Sequence, residues 1–261
     1  MIPPHSSVSL PEVRRLEAVS FRSWPAAVTR FDGTWAIRLT ADHPAKRLNS
    51  INPLDPADHL EFEERVVRAA DLFGKCERPL IFRQSPLAPM ELENRLDARG
   101  WRRFDESLVM TLDLTALPRD NEPDHIPFDV PSHWLDQCIA MGTMDQLEKS
   151  GLLKLLTRVE GQVSLFLSER EDGSPLAAVM AVQFDELVGL FEVVSSPSAR
   201  NAGHARKLVR AALSWSRLNG ASLAWLQVVA SNEAAIGLYH SLAFAPAYSC
   251  AYRQAPEAFH G

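Results

Sequence analysis

The run Arg200-Asn201-Ala202-Gly203-His204-Ala205-Arg206 mixes small or compact residues with positive charge. It follows an apolar, β-rich segment, Leu187 to Val194. It precedes a segment in which Ala205, Leu208, Val209, Ala212 and Trp215 recur at helical spacing. A loop that enters a helix presents backbone N–H groups without intrahelical acceptors. The helix dipole adds about half a positive charge at that point, and small residues let an anion approach the backbone. Phosphate binding is the chemistry such a stretch supports. The surroundings agree: no Asp or Glu lies between Glu192 and Glu233, although the whole chain carries 33 acidic and 27 basic residues. Arg200, Arg206, Lys207, Arg210 and Arg217 all fall in this acid-free window. Basic side chains on one face of an amphipathic helix can also be a solvated face and nothing more, so charge alone leaves both readings open.

The order of motifs is more specific. Arg200 to Ala205 resembles the R/Q-x-x-G-x-G/A loop of the GNAT acyl-CoA N-acyltransferase superfamily. LQVVASNEAAIGLYHSLAF, from Leu226, is similar to that superfamily's next strand and its N-x-x-A-x-x-x-Y-x-x-x-G-F signature. The resemblance spans Leu187 to Arg253. It implies acetyl-CoA, or another acyl-CoA, as donor, with no metal. The N–H groups of Asn201, Ala202, Gly203, His204, Ala205 and Arg206, beside the Arg200 side chain, would hold the pyrophosphate. Val193, Val194 and Ser195 would pair with the pantetheine arm, at a place where the superfamily's two central strands splay apart. Asn232 falls on the asparagine that meets that arm, and it also suits a plain helix N-cap. Tyr239 falls on the tyrosine whose hydroxyl protonates the departing thiolate, and it also suits a core position beside Ala235 and Leu242.

The implied reaction is direct attack of an uncharged amine on the thioester. Some members carry a glutamate on the strand after the phosphate helix, but Gln227 stands there in this chain and cannot take a proton. Glu192 is the nearest alternative base and equally suits a solvated strand position. Ala243-Phe244 replaces the usual Gly-Phe; if residue 243 is left-handed, Ala costs about 1 kcal/mol there relative to Gly. The alternative function is a catalytically inactive acyl-CoA-binding regulatory module.

The elements that position these residues read as α/β, with an α+β mixed sheet. Strand, loop, helix, strand and helix follow one another from Leu187 to Leu242, a βαβ unit. Val163 to Ser168 and Leu176 to Phe184 read as a hairpin around EDGSP. Ser132 to Leu156 reads as mostly helical. Earlier in the chain, GTWAIRLT and LVMTLDL read as strands, and Asp58 to Phe73 and Ala88 to Arg99 as helices. RLNSINPLDP, from Arg47, reads as a capped helix entry, with Asn49 and Ser50 as candidates for lining an acceptor cleft. A Pro- and acid-rich stretch from Leu117 to Pro131 reads as a linker. The expected layout is a domain over 1–115, a linker over 116–130 and an acetyltransferase domain over 131–261. Shifted by 143 residues, ELENRLDARGWRRFDESLVMTL lies over AAIGLYHSLAFAPAYSCAYRQA. Gly100-Trp101 then falls on Ala243-Phe244, and Leu96 on Tyr239. The expectation is a tandem of two GNAT-like halves, the first degenerate.

The net charge of −6 argues against a general binder of nucleic acid or anionic membranes. Cys76, Cys138 and Cys250 have neither zinc spacing nor an even number, and reduced thiols fit a cytoplasmic location. The expected partners are acetyl-CoA or CoA and an amine-bearing small molecule or peptide; oligomeric state is open.

Overall fold

A computed structural model describes residues 8–117, 125–128 and 130–256. The chain divides into two compact units. The first holds the chain up to Val109, Val228–Asn232 and the chain from Pro246; the second holds Met110–Gln227 and Glu233–Ala245.

The first unit begins with α1 (Leu10–Ser23), started by Ser9, whose N–H and hydroxyl both donate to the Glu12 carboxylate. Next come β1 (Val28–Asp32), β2 (Trp35–Leu39) and β3 (Ser50–Pro53), each antiparallel to the one before. The chain crosses through α2 (Phe62–Lys75) to β4 (Ile81–Gln84), which is parallel to β3 with Ile51 opposite Phe82. It continues through α3 (Met90–Ala98) into β5 (Arg102–Asp113). One face of this sheet is apolar: Trp35, Ile37, Ile51 and Phe82 pack with Phe62, Val66 and Phe73 of α2 and with Trp101. The other face is polar and equally buried. There Arg83 pairs with Glu17 of α1, and the Tyr248 hydroxyl donates to Glu17 at 2.7 Å.

The second half of the chain repeats that order. After α4 (Pro131–Ala140) and α5 (Gln146–Leu156) come the antiparallel strands β6 (Gln162–Glu169), β7 (Pro175–Phe184) and β8 (Leu187–Ser195). The crossing helix α6 (His204–Leu218) leads to the parallel strand β9 (Leu223–Val229), then to α7 (Glu233–Ser241) and β10 (Ala245–Gln254). Gly189 is required in β8. A Cβ there would lie 2.7 Å from the rings of Phe191 and Trp225, which meet edge to face with centroids 5.4 Å apart. The strand order is β1-β2-β3-β4-β10-β5 in the first unit and β5-β9-β8-β7-β6 in the second. The last strand of each repeat therefore pairs with the fourth strand of the other. A mixed α/β sheet is thus established.

Three differences from the sequence reading have local causes. Helix α2 starts at Phe62 rather than Asp58, because the Asp58 carboxylate is occupied by Thr34 and Arg65. The stretch from Arg47 is neither a helix entry nor a cleft lining: Ser50–Pro53 is strand β3, and Asn49 and Ser50 are buried. Asn49 accepts from the Thr40 N–H and donates to the carbonyls of His43 and Ala45, fixing the turn between β2 and β3. The helical segment after Pro131 breaks at Gly142 (φ +70°) and restarts under an Asp145–Glu148 capping box. In the linker stretch, residues 118–124 and 129 lie outside the described residues; Phe128 donates its N–H to the Leu165 carbonyl at the free edge of β6.

Candidate functional site

The site is built where β8 leaves β9. The two strands pair from Leu187 opposite Leu223 to Leu190 opposite Leu226, and there the pairing ends. Strand β8 continues on β7 alone, with Val194 opposite Ala178 and Ser195 opposite Ala177. The register slips at Glu192, whose φ is +47°, giving a β-bulge opposite Val179. Val193, Val194 and Ser195 are half-buried, so the backbone edge of β8 on the β9 side is free of strand pairing just where β8 ends.

The chain then turns through a short 3-10 segment, Pro197–Ala199, into the loop at Arg200. Asn201 (φ +60°) and Gly203 (φ +84°) are both left-handed. Asn tolerates that region and Gly occupies it freely. Gly203 is the N-cap of α6, and the first helical bond runs from the Lys207 N–H to the Gly203 carbonyl at 3.0 Å. The N–H groups of His204, Ala205 and Arg206 therefore have no acceptor within the helix. Asn201, Ala202, Gly203 and Arg206 are exposed, while His204 and Ala205 are half-buried. The geometry is an anion cradle with the helix dipole behind it.

Glu192 is half-buried, and its charge acts on Cys138 of α4. Burial first, and the Glu192 carboxylate second, push that thiol up to about 12. Tyr239 is buried on α7 and meets Phe244 edge to face at 5.8 Å. Burial lifts its phenol to about 12, so it stays protonated at neutral pH and can donate a hydrogen bond. Asn232 is exposed and lies in the turn immediately before α7, where its N–H donates to the Val229 carbonyl. It belongs to the short segment counted with the first unit, while the loop, β8 and Tyr239 all lie in the second. Gln227 is half-buried, one residue past the last β8–β9 pair. Cys250 is not placed as a nucleophile. It is buried beside Arg83, which donates to its sulfur at 3.3 Å, and burial outweighs that contact to raise the thiol.

The turn after α7 matches the one after α3. Ala243 has φ +69° and Gly100 φ +70°. Phe244 donates its N–H to the Tyr239 carbonyl and Trp101 to the Leu96 carbonyl, both at 3.0 Å. The 143-residue shift is thus a repeat of local geometry, with Leu96 on the position of Tyr239. What the sequence reading missed is the exchange of last strands, because a strand's propensities do not name its partner.

Among the described residues no helix is long and apolar enough to cross a membrane, and no group of three His, Cys, Asp or Glu is placed to hold a metal. Residues 11–253 match the family described as "Probable histone acetyltransferase Rv0428c C-terminal". The Bacillus subtilis (strain 168) protein named uncharacterized N-acetyltransferase YobR is 25% identical over 248 residues, covering 93% of this chain and 98% of that one. Among solved structures, a GCN5-related N-acetyltransferase from Kribbella flavida aligns with TM-score 0.71 at 16% identity, over 94% of this chain and 96% of its own. A tandem GNAT protein from the clavulanic acid biosynthesis pathway aligns with TM-score 0.65 at 13% identity, over 99% and 91%. These two likenesses concern the fold. The family match covers nearly the whole chain, and the chain belongs to that acetyltransferase family as a GNAT N-acetyltransferase.

Proposed function

We propose that the protein transfers an acetyl group from acetyl-CoA to a primary amine by direct attack, using the second unit as donor site. The observation that carries this is the end of β8–β9 pairing at Leu190 and Leu226, next to an acid-free loop whose Gly203 opens the start of α6. The cradle from Asn201 to Arg206, with the Arg200 side chain, suits a pyrophosphate. The free edge of Val193, Val194 and Ser195 suits the amide-bearing pantetheine arm, and its N–H groups suit the thioester oxygen as that oxygen takes on charge.

Acetyl-CoA supplies the activated acyl group; the chain supplies position and proton handling. An alkyl amine with a pKa of about 10 is mostly protonated at pH 7, so a base accelerates the reaction. Glu192, turned out of the strand register by its bulge, is that base, directly or through water. Tyr239 meets the departing sulfur. Its proton is held more tightly than that of a thiol of pKa about 8.5, so it acts first as a hydrogen-bond donor. The acceptor is an amine on a peptide or small molecule. The net charge of −6 and the family's description favour a lysine-bearing basic peptide. The matched order of elements in the two repeats supports descent from a duplicated GNAT-like half, the first having lost its donor loop.

The test is release of free CoA thiol from acetyl-CoA across a lysine peptide, a peptide with only its α-amino group, and small primary amines. Amine-dependent release is expected, slowed at least about tenfold by Glu192→Gln at pH 7 and less at pH 9, where about a hundredfold more of the amine is already neutral. Release that ignores the amine would refute the reading.

A further inference from the structure

Strand β1 ends the strand order in the first unit, as β6 does in the second. Phe128 meets β6 at Leu165. Among the described residues, none pairs with the outer side of β1. Val28, Thr29, Arg30 and Phe31 are all exposed, Phe31 by 69% and Val28 by 45%. The strand is five residues long and has neither a proline nor a register shift, two of the devices that keep edge strands from pairing.

Backbone geometry decides which groups are open. Asp32 and Trp35 flank the two-residue turn Gly33-Thr34, so Asp32, Arg30 and Val28 exchange hydrogen bonds with β2. The N–H and C=O groups of Thr29 and Phe31 therefore point to the outer side. The side chains of Thr29 and Phe31 lie on one face of the strand, and those of Val28, Arg30 and Asp32 on the other.

Such a strand can pair antiparallel with the same strand of a second copy about a two-fold axis. Centred on Phe31, that pairing sets the two Phe31 residues opposite each other, each N–H donating to the other's carbonyl. It also sets Arg30 opposite Asp32 of the second copy, and the reverse. Centred on Arg30 instead, it would set two like charges face to face. Charges on an edge usually repel a second strand; here opposite signs two residues apart make the strand complementary to itself. The Asp32 carboxylate is already held in place, accepting from Arg68 Nε at 2.7 Å and Nη2 at 2.9 Å, with Arg65 Nε at 3.5 Å. A carboxylate accepts at about four sites, so one remains for Arg30 of the second copy.

We propose that β1 is the interface of a two-fold homodimer, formed by antiparallel pairing of Val28–Asp32 with the same strand of a second copy in the register centred on Phe31. A strand of this length makes a small interface, so the dimer is weak, with a dissociation constant of about 10 to 100 µM. The proposal stands independently of the acetyl-transfer reading.

The experiment is sedimentation velocity of the full chain from about 1 to about 300 µM. The wild type is expected to pass from monomer to dimer across that range. Phe31→Pro removes an N–H that the monomer leaves to solvent, a change an edge strand tolerates but strand pairing does not; it is expected to stay monomeric. Arg30→Asp sets carboxylates face to face and is expected to weaken the dimer at least about tenfold. Met90→Lys, at an exposed apolar residue of α3, is expected to leave dimerisation unchanged. Circular dichroism and urea unfolding of the same samples report the fold; should Phe31→Pro lose it, Arg30→Asp decides alone. A wild type monomeric throughout, a dimer of unchanged affinity in Arg30→Asp, a dimer in folded Phe31→Pro, or one that Met90→Lys dissolves would each overturn the proposal.

Discussion

The crossings β3–α2–β4 and β8–α6–β9 have the same geometry and opposite chemistry. Each leaves an antiparallel strand, turns through a loop, enters a helix at a left-handed N-cap and returns to a parallel strand. In the second unit that N-cap is Gly203, and no acid occurs from Val193 to Asn232. In the first it is Glu61 (φ +50°), preceded by Asp55 and Asp58 and followed by Glu63 and Glu64. A helix start surrounded by carboxylates repels the anion that an acid-free one attracts. The Asp58 carboxylate is also structural there, accepting from Thr34 Oγ1 at 2.6 Å and from Arg65 at 2.8 Å. The difference teaches that this topology supplies an anion cradle only where the charge pattern leaves it usable.

Several changes break or sharpen that contrast. Tyr239→Phe should lower kcat by about 10- to 100-fold with CoA affinity unchanged, whereas Leu96→Met, at the matching position of the first repeat, should leave kcat as it is. Because burial sets Tyr239 at about 12, the rate should rise with pH as the amine deprotonates, with no alkaline fall from this residue below about pH 11. A fall near pH 9 that is absent from Tyr239→Phe would contradict the assignment.

Next in size is Asp58. Burial alone would raise its carboxyl, but the hydrogen bonds from Arg65 and Thr34 win and hold it at about 2, against an ordinary 3.8. A depressed carboxyl contributes stability above its unfolded value that is lost as pH falls. Urea unfolding should therefore show up to about 2 kcal/mol, absent in Asp58→Asn, disappearing between about pH 4 and pH 2.

The smallest effects are a matched pair. Ala243→Gly should stabilise and Gly100→Ala destabilise, each by about 1 kcal/mol, since both positions are left-handed and carry the same capping bonds. No heavy atom lies within 4 Å of a Cβ built at Gly100, so the cost is backbone conformation rather than a clash.

The second unit was more legible than the first for a physical reason. Its crossing combines a phosphate-loop pattern, an amphipathic α6 and a tyrosine helix in fixed order, each with a local signal. In the first unit, α1, β1, β3 and β4 escaped the reading. Strand β4 is only four residues, Ile-Phe-Arg-Gln, and its Arg83 argues for a surface until Glu17 is seen opposite it. Strand β3 ends in proline and is half polar, with Ser50 and Asn52 buried on the polar face of the sheet. Buried polar faces defeat binary patterning, because their partners are distant in sequence. The bulge at Glu192 escaped for a similar reason: nothing local announces a left-handed glutamate inside a strand.

The most direct test of the account is calorimetric titration of CoA into the wild type, Gly203→Glu and, as the first unit's counterpart, Glu61→Gly. Nothing lies within 4 Å of a Cβ at Gly203, so the variant places its charge without a steric clash, at a backbone cost of about 1 kcal/mol. One CoA per chain is expected in the wild type, with binding weakened at least about 100-fold in Gly203→Glu and affinity unchanged in Glu61→Gly. Wild-type affinity retained by Gly203→Glu, or no CoA binding by the wild type, would contradict it.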